Sequence, residues 1–197
     1  MPSTLSDADQ RFLSRNDFRL DAPIFIGGGG EGYMISTTMR SYRRRTPQHQ
    51  NFARHFSMRA IRRLMRLIHG AGRPVILVGH SWGAVTAIKA AQWAKRRSLP
   101  LALLVTVDPV GRPRLPVRSA VAYQGLACDW IAVVGTRDRI MMTPGNLVAK
   151  VWARTPLAIL RHADRLHWDH KATHENFAQM LRSCGAEARI AALLARE

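Results

Sequence analysis

The sequence predicts an α/β protein, a mainly parallel sheet with helices on both faces, and three observations carry that expectation. The apolar runs at 75–78 and 101–107 are continuous rather than alternating, as in strands buried on both sides. Two stretches near them place apolar residues at helical spacing. The resulting order of strand, helix, strand, helix, strand suits parallel pairing, because each parallel crossover needs a connection long enough for a helix.

The first strand is Pro23-Ile24-Phe25-Ile26, which runs into Gly27-Gly28-Gly29-Gly30-Glu31-Gly32, a flexible loop. From Arg59 to His69, Ile61, Leu64, Met65 and Ile68 share one helical face, while Arg59, Arg62, Arg63 and Arg66 repeat the spacing on another. Gly70 and Gly72 end that helix, and Pro74 leads into the strand Val75–Val78. A helix follows from Ala84 to about Arg97, and Pro100 precedes the strand Leu101–Val107. Gly111–Pro116 is a Pro/Arg-rich loop, Trp130–Val134 a fourth strand ending at Gly135, and Pro156–Leu160 a weaker fifth. From Glu175 onward, Phe177, Met180 and Leu181, then Ala188, Ala191, Ala192 and Leu194, fall at helical spacing, with Gly185 as a break. Residues 1–22 are polar and read as an N-terminal extension; 23–197 read as one domain.

Thirty basic residues against thirteen acidic ones give a net charge of +17 in 197 residues. No acidic residue falls between Glu31 and Asp108, an interval that holds ten arginines from Arg40 to Arg73, so one strongly positive face is expected. An anionic lipid surface or an acidic partner would answer that field, as would no partner at all if the arginines only solvate the surface. Nucleic acid is disfavoured, since no aromatic interleaving or recognised nucleic-acid module accompanies the charge. No segment has signal-peptide or membrane-spanning character, and Cys128 and Cys184 lack metal-ligand spacing, so a cytoplasmic, reduced protein without a cofactor is expected.

Chemistry is concentrated at Gly79-His80-Ser81-Trp82-Gly83, a G-x-S-x-G pattern at the junction of the Val75–Val78 strand and the following helix. A serine on so tight a turn is pushed toward strained dihedrals, so the residues two before and two after it must lack bulk. Ser81 is therefore the candidate nucleophile. It needs a base, an acid to orient the base, and donors for the oxyanion. Two aspartates follow strand ends, where catalytic groups gather in open α/β sheets: Asp108 in Val107-Asp108-Pro109 and Asp138 in Gly135-Thr136-Arg137-Asp138. They compete for the acid role. Gly27, Gly29 and Gly32 also satisfy G-x-G-x-x-G, but a dinucleotide site wants an acidic residue about twenty positions on, and none precedes Asp108.

From Pro23 to its end the chain resembles the α/β-hydrolase superfamily, and small lipase- or esterase-like serine hydrolases in particular. The resemblance implies a three-layer α/β/α domain with a reduced sheet of about five or six strands, because the antiparallel strands that usually open the sheet are missing. The glycine run is similar to the oxyanion loop of lipases, which implicates the backbone N–H groups of Gly28 and Gly29, with Trp82 as the second donor. Val-Asp-Pro-Val is similar to the segment by which pancreatic-type lipases supply their acid, which moves Asp108 ahead; Gly135 to Asp138 looks like the superfamily's ordinary acid turn and keeps Asp138 in contention. The superfamily order Ser, Asp, His implies a late histidine. His174, followed closely by Phe177, is favoured over His170 and His167.

A metal reading of His167, Asp169, His170 and His174 is weak, because Arg165 stands where a further histidine would be needed. The expected function is hydrolysis of a small acyl ester or thioester through an acyl-enzyme, with a lipid ester leading by analogy. The alternative is a non-catalytic binding module on the same fold whose Arg-rich face engages an anionic partner.

Overall fold

A computed structural model describes residues 5–28, 39, 42, 45–46, 49–110, 122–136, 155 and 157–195. In chain order the elements are α1 (Asp7–Asn16), β1 (Ile24–Gly27), β2 (Asn51–Arg54), α2 (Met58–Gly70), β3 (Ile76–His80), α3 (Trp82–Lys95), β4 (Leu103–Val107), β5 (Trp130–Gly135), α4 (Leu157–Leu160), β6 (Arg165–Asp169), α5 (Phe177–Ser183) and α6 (Ala186–Leu194). The strands form one sheet in the order β2-β1-β3-β4-β5-β6, and all five pairings are parallel.

Alternation along the buried strands sorts the core into two layers. Ile24, Ile26, Leu77, Leu104, Ala132 and Val134 face one side, where they pack with Ile61, Leu64, Met65 and Ile68 of α2 and with the alanine-rich face of α3. Phe25, Val78, Val105, Val107, Ile131 and Val133 face the other, against Phe177, Met180 and Leu181 of α5 and Ala186 and Ile190 of α6. Alanines at 87, 90, 91 and 94 let α3 lie close to the sheet, which holds the start of that helix firmly against β1 and β3. The three-layer arrangement agrees with the expectation.

Several elements differ from it. β2 was not foreseen; it is an edge strand of four residues whose first member, Asn51, is buried and exchanges three hydrogen bonds of 2.7–2.9 Å with the backbone of Arg19 and Ala22. β6 was also missed, since Arg165-Leu166-His167-Trp168-Asp169 is an edge strand with only Asp169 buried. The strand expected at Pro156–Leu160 is wrong: Leu157–Leu160 is a helical turn, because Ile159 and Leu160 reach the core from consecutive positions, as one side of a helix allows and one face of a strand does not. The segment expected as an extension carries α1, whose Phe12 and Leu13 pack on the first core layer and whose Asp9 accepts from Arg63 at 2.7 Å.

Candidate active site

β3 delivers the chain to Ser81, which adopts φ 56°, ψ −123° before α3 begins. A positive φ at a non-glycine residue costs about 1–3 kcal/mol and persists only where the surroundings over-determine it. They do here. The Ser81 N–H donates to the Val107 carbonyl at 3.0 Å, and its carbonyl accepts from Ala84 N–H at 3.1 Å. A side chain at Gly79 would stand 2.5 Å from the Gly83 carbonyl oxygen, and one at Gly83 would stand 2.0 Å from the Ile26 carbonyl oxygen. Both spacings are impossible, which is the physical content of the two glycines: the turn is pressed simultaneously against itself and against β1.

Asp108 follows the last residue of β4, in line with Ser81, because His80 and Val107 are register partners. It is fully buried, has φ 38°, and donates its own N–H to the Val133 carbonyl at 2.7 Å. His174 lies beyond β6 in a turn closed by Asn176, whose Oδ1 accepts from Thr173 N–H at 2.8 Å and Oγ1 at 2.6 Å. The three side chains meet. His174 Nδ1 donates to Asp108 Oδ2 at 2.5 Å, and Ser81 Oγ donates to His174 Nε2 at 3.0 Å. Because the carboxylate only accepts, the proton resides on Nδ1 and the Nε2 lone pair faces the serine hydroxyl.

Of the competing positions, Asp138 and Gly29 fall outside the described residues. His170 is turned away, with Nδ1 2.8 Å from Thr136 Oγ1, and His167 lies in β6 opposite Val133. No group of three potential ligands gathers among the described residues. Gly28 stands beside Ser81: a side chain there would begin 2.9 Å from Ser81 Cβ and 3.4 Å from Oγ. Trp82 directly follows Ser81 and is the first residue of α3, so its backbone N–H lies at the N-terminal end of that helix.

Two residues of the site escaped sequence reasoning. His80 is buried, its Nε2–H donates to the His174 carbonyl at 2.8 Å, and its ring stacks on that of His174 at 4.9 Å and edge-on to Phe177 at 5.5 Å. Burial pulls its imidazole down to about 3, so it is neutral and backs the His174 ring as an uncharged group. The available signal was a histidine at the end of an otherwise apolar strand. His55, just past β2, places its ring edge-to-face on Trp82 at 5.3 Å and hydrogen-bonds the Gly28 backbone; burial lowers its pKa.

The family model that matches this sequence is described as the alpha/beta hydrolase family, and the match runs over residues 13–195. The chain belongs to the alpha/beta hydrolase family. Solved structures similar to this family member include the type II thioesterase BorB from the borrelidin biosynthetic cluster (15% identity, covering 86% of this chain and 92% of that one, TM-score 0.44). They also include the NocB thioesterase domain in covalent complex with a fluorophosphonate nocardicin G analog (16%, 86% and 94%, 0.48), and the SrfTE thioesterase domain that cyclizes the lipopeptide antibiotic surfactin (15%, 86% and 90%, 0.44). No curated protein sequence matches the chain.

Proposed function

We propose that this alpha/beta hydrolase cleaves a carboxylic ester or thioester by covalent catalysis at Ser81. The observation that carries the reading is the unbroken hydrogen-bond chain from Ser81 Oγ through His174 to Asp108 in a buried setting. Ser81 Oγ attacks the acyl carbon while its proton passes to His174 Nε2; Asp108 keeps Nδ1 protonated and stabilises the imidazolium. The tetrahedral oxyanion is met by backbone N–H groups of Gly28 or Gly29 and of Trp82, a role supported by the approach of Gly28 to Ser81. Collapse breaks the bond to the leaving oxygen or sulfur, which takes the proton from Nε2. Water then repeats the sequence on the acyl-enzyme, and the carboxylic acid leaves with Ser81 restored.

The test is labelling by a reporter-tagged fluorophosphonate, located by peptide mass spectrometry. Modification of Ser81, abolished in Ser81→Ala, is the expected result; a folded protein that does not label would leave the fold as a non-catalytic binding module. With an active ester in hand, Asp108→Asn is expected to lower kcat by about 10⁴-fold, as loss of the correct tautomer does in serine proteases. Asp138→Asn should leave turnover near the wild-type value, and the reverse pattern would transfer the acid role to Asp138.

A further inference from the structure

On the side of Ser81 away from Asp108, the chain leaves β2 through Arg54, His55 and Phe56. Arg54 is the register partner of Gly27, and β1 separates β2 from β3, so Arg54 lies two strand spacings of about 4.8 Å each from the strand that carries the nucleophile. His55 is fastened in place, since its carbonyl accepts from Thr86 Oγ1 of α3 at 2.8 Å. Three rings then lead outward from the residue after Ser81: Trp82 to His55 at 5.3 Å, and His55 to Phe56 at 5.3 Å, each edge-to-face. Phe56 is 67% exposed, and the Arg54 guanidinium stands 5.8 Å from its centroid.

Among the described residues, the elements around this strip carry charge of one sign. β1, β2, α2, β3 and α3 contain no carboxylate, while Arg54 and, at the start of α2, Arg59 are exposed. An apolar ribbon that starts beside the nucleophile and ends at a guanidinium matches a ligand with an apolar stem and an anionic end. Which part of a substrate lies there follows from the histidine. The leaving atom must face His174 Nε2, on the β4 side of the serine, so the other two substituents lie away from β4: the oxyanion at Gly28 and Trp82 and, passing beyond it toward β2, the acyl chain.

We propose that Trp82, His55 and Phe56 floor the acyl subsite and that Arg54 receives a negative charge at the far end of the acyl group. The substrates would be esters or thioesters of acids that carry a second, terminal anionic group. This inference rests on the assignment of Ser81 as nucleophile.

The experiment compares 4-nitrophenyl hydrogen adipate with 4-nitrophenyl methyl adipate, which share leaving group and scissile bond and differ in the terminal charge. Nitrophenol release from the wild type is expected to favour the charged ester, through KM. Arg54→Gln should lower the charged-to-neutral ratio of kcat/KM about fivefold, the upper range for an exposed ion pair, and Arg54→Lys should recover most of it. A ratio that Arg54→Gln leaves unchanged overturns the proposal. So does a variant that instead loses binding to phosphatidylglycerol vesicles with the ester ratio flat, since Arg54 would then meet a membrane. Fluorophosphonate labelling of wild-type Ser81 in the same preparation separates the two failures: labelled serine with a flat ratio sinks the subsite alone, and absent labelling sinks the hydrolase assignment with it.

Discussion

At the residue before Ser81, His80 does two jobs that the G-x-S-x-G pattern does not specify. Its small flat ring fills the space between β3 and α5, and its Nε2–H fixes the carbonyl of His174. A neutral buried histidine also leaves a mark on stability. Its folded pKa of about 3 lies below the ordinary 6.5, so between those values the unfolded chain binds a proton that the folded one refuses. Stability from this site is therefore complete above about pH 6.5 and is lost as the pH falls from there toward 3, at up to about 1.4 kcal/mol per pH unit. His80→Gln retains an amide N–H for the His174 carbonyl and does not titrate. Urea unfolding across that window should give a flatter dependence of stability on pH for the variant than for the wild type; parallel curves would contradict the assignment.

At the scale of elements, α3 crosses β1 so closely that no side chain fits between them at Gly83. Gly83→Ala puts a methyl group 2.0 Å from a carbonyl oxygen of β1, and neither backbone can yield without unseating the other. Thermal denaturation should show a loss above about 4 kcal/mol, or no folded protein at all. Gly70→Ala is the contrasting case: nothing lies within 4 Å of its added methyl, and as the last residue of α2 it should gain up to about 1 kcal/mol in helix propensity. The elements that sequence reasoning placed, β1, α2, β3, α3, β4, β5 and the two C-terminal helices α5 and α6 divided at Gly185, are mostly those buried on both sides or on one stripe, where burial leaves a legible period. β2 and β6 are edges: β6 buries only Asp169, and in β2 Asn51 holds its place through polar bonds that hydropathy does not register. Leu157–Leu160 is too short for its period to be read, so a helical turn and a buried strand look alike. The candidate site was legible for a related reason: Ser81 and Asp108 sit at ends of buried strands, whereas His55 enters from the unseen edge.

For the whole molecule, charge dominates. Even if every one of the thirteen carboxylates found a cation, seventeen basic groups would remain, and the molecule accommodates some of them on rings: Arg62 and Arg97 both place guanidinium carbons over Trp93, at 5.3 and 5.0 Å. Compaction brings these charges together, so raising ionic strength from about 0.01 M to about 0.15 M, which shortens the Debye length from about 30 to about 8 Å, should raise Tm. A fall in Tm would mean that exposed pairs such as Arg19–Asp21 and Arg165–Asp129 outweigh the repulsion. No helix among the described residues is long and apolar enough to cross a membrane. The threading of the chain through the sheet also has a temporal side. Ser81 and His174 lie 93 positions apart, and His174 follows the sixth strand. At a synthesis rate of about 5–20 residues per second, Ser81 leaves the ribosome's catalytic centre about 5–20 s before His174 is made. Under the mechanism proposed above, the emerging polypeptide throughout that interval carries an alcohol no more reactive than any other serine, silent toward esters until the last strand has docked.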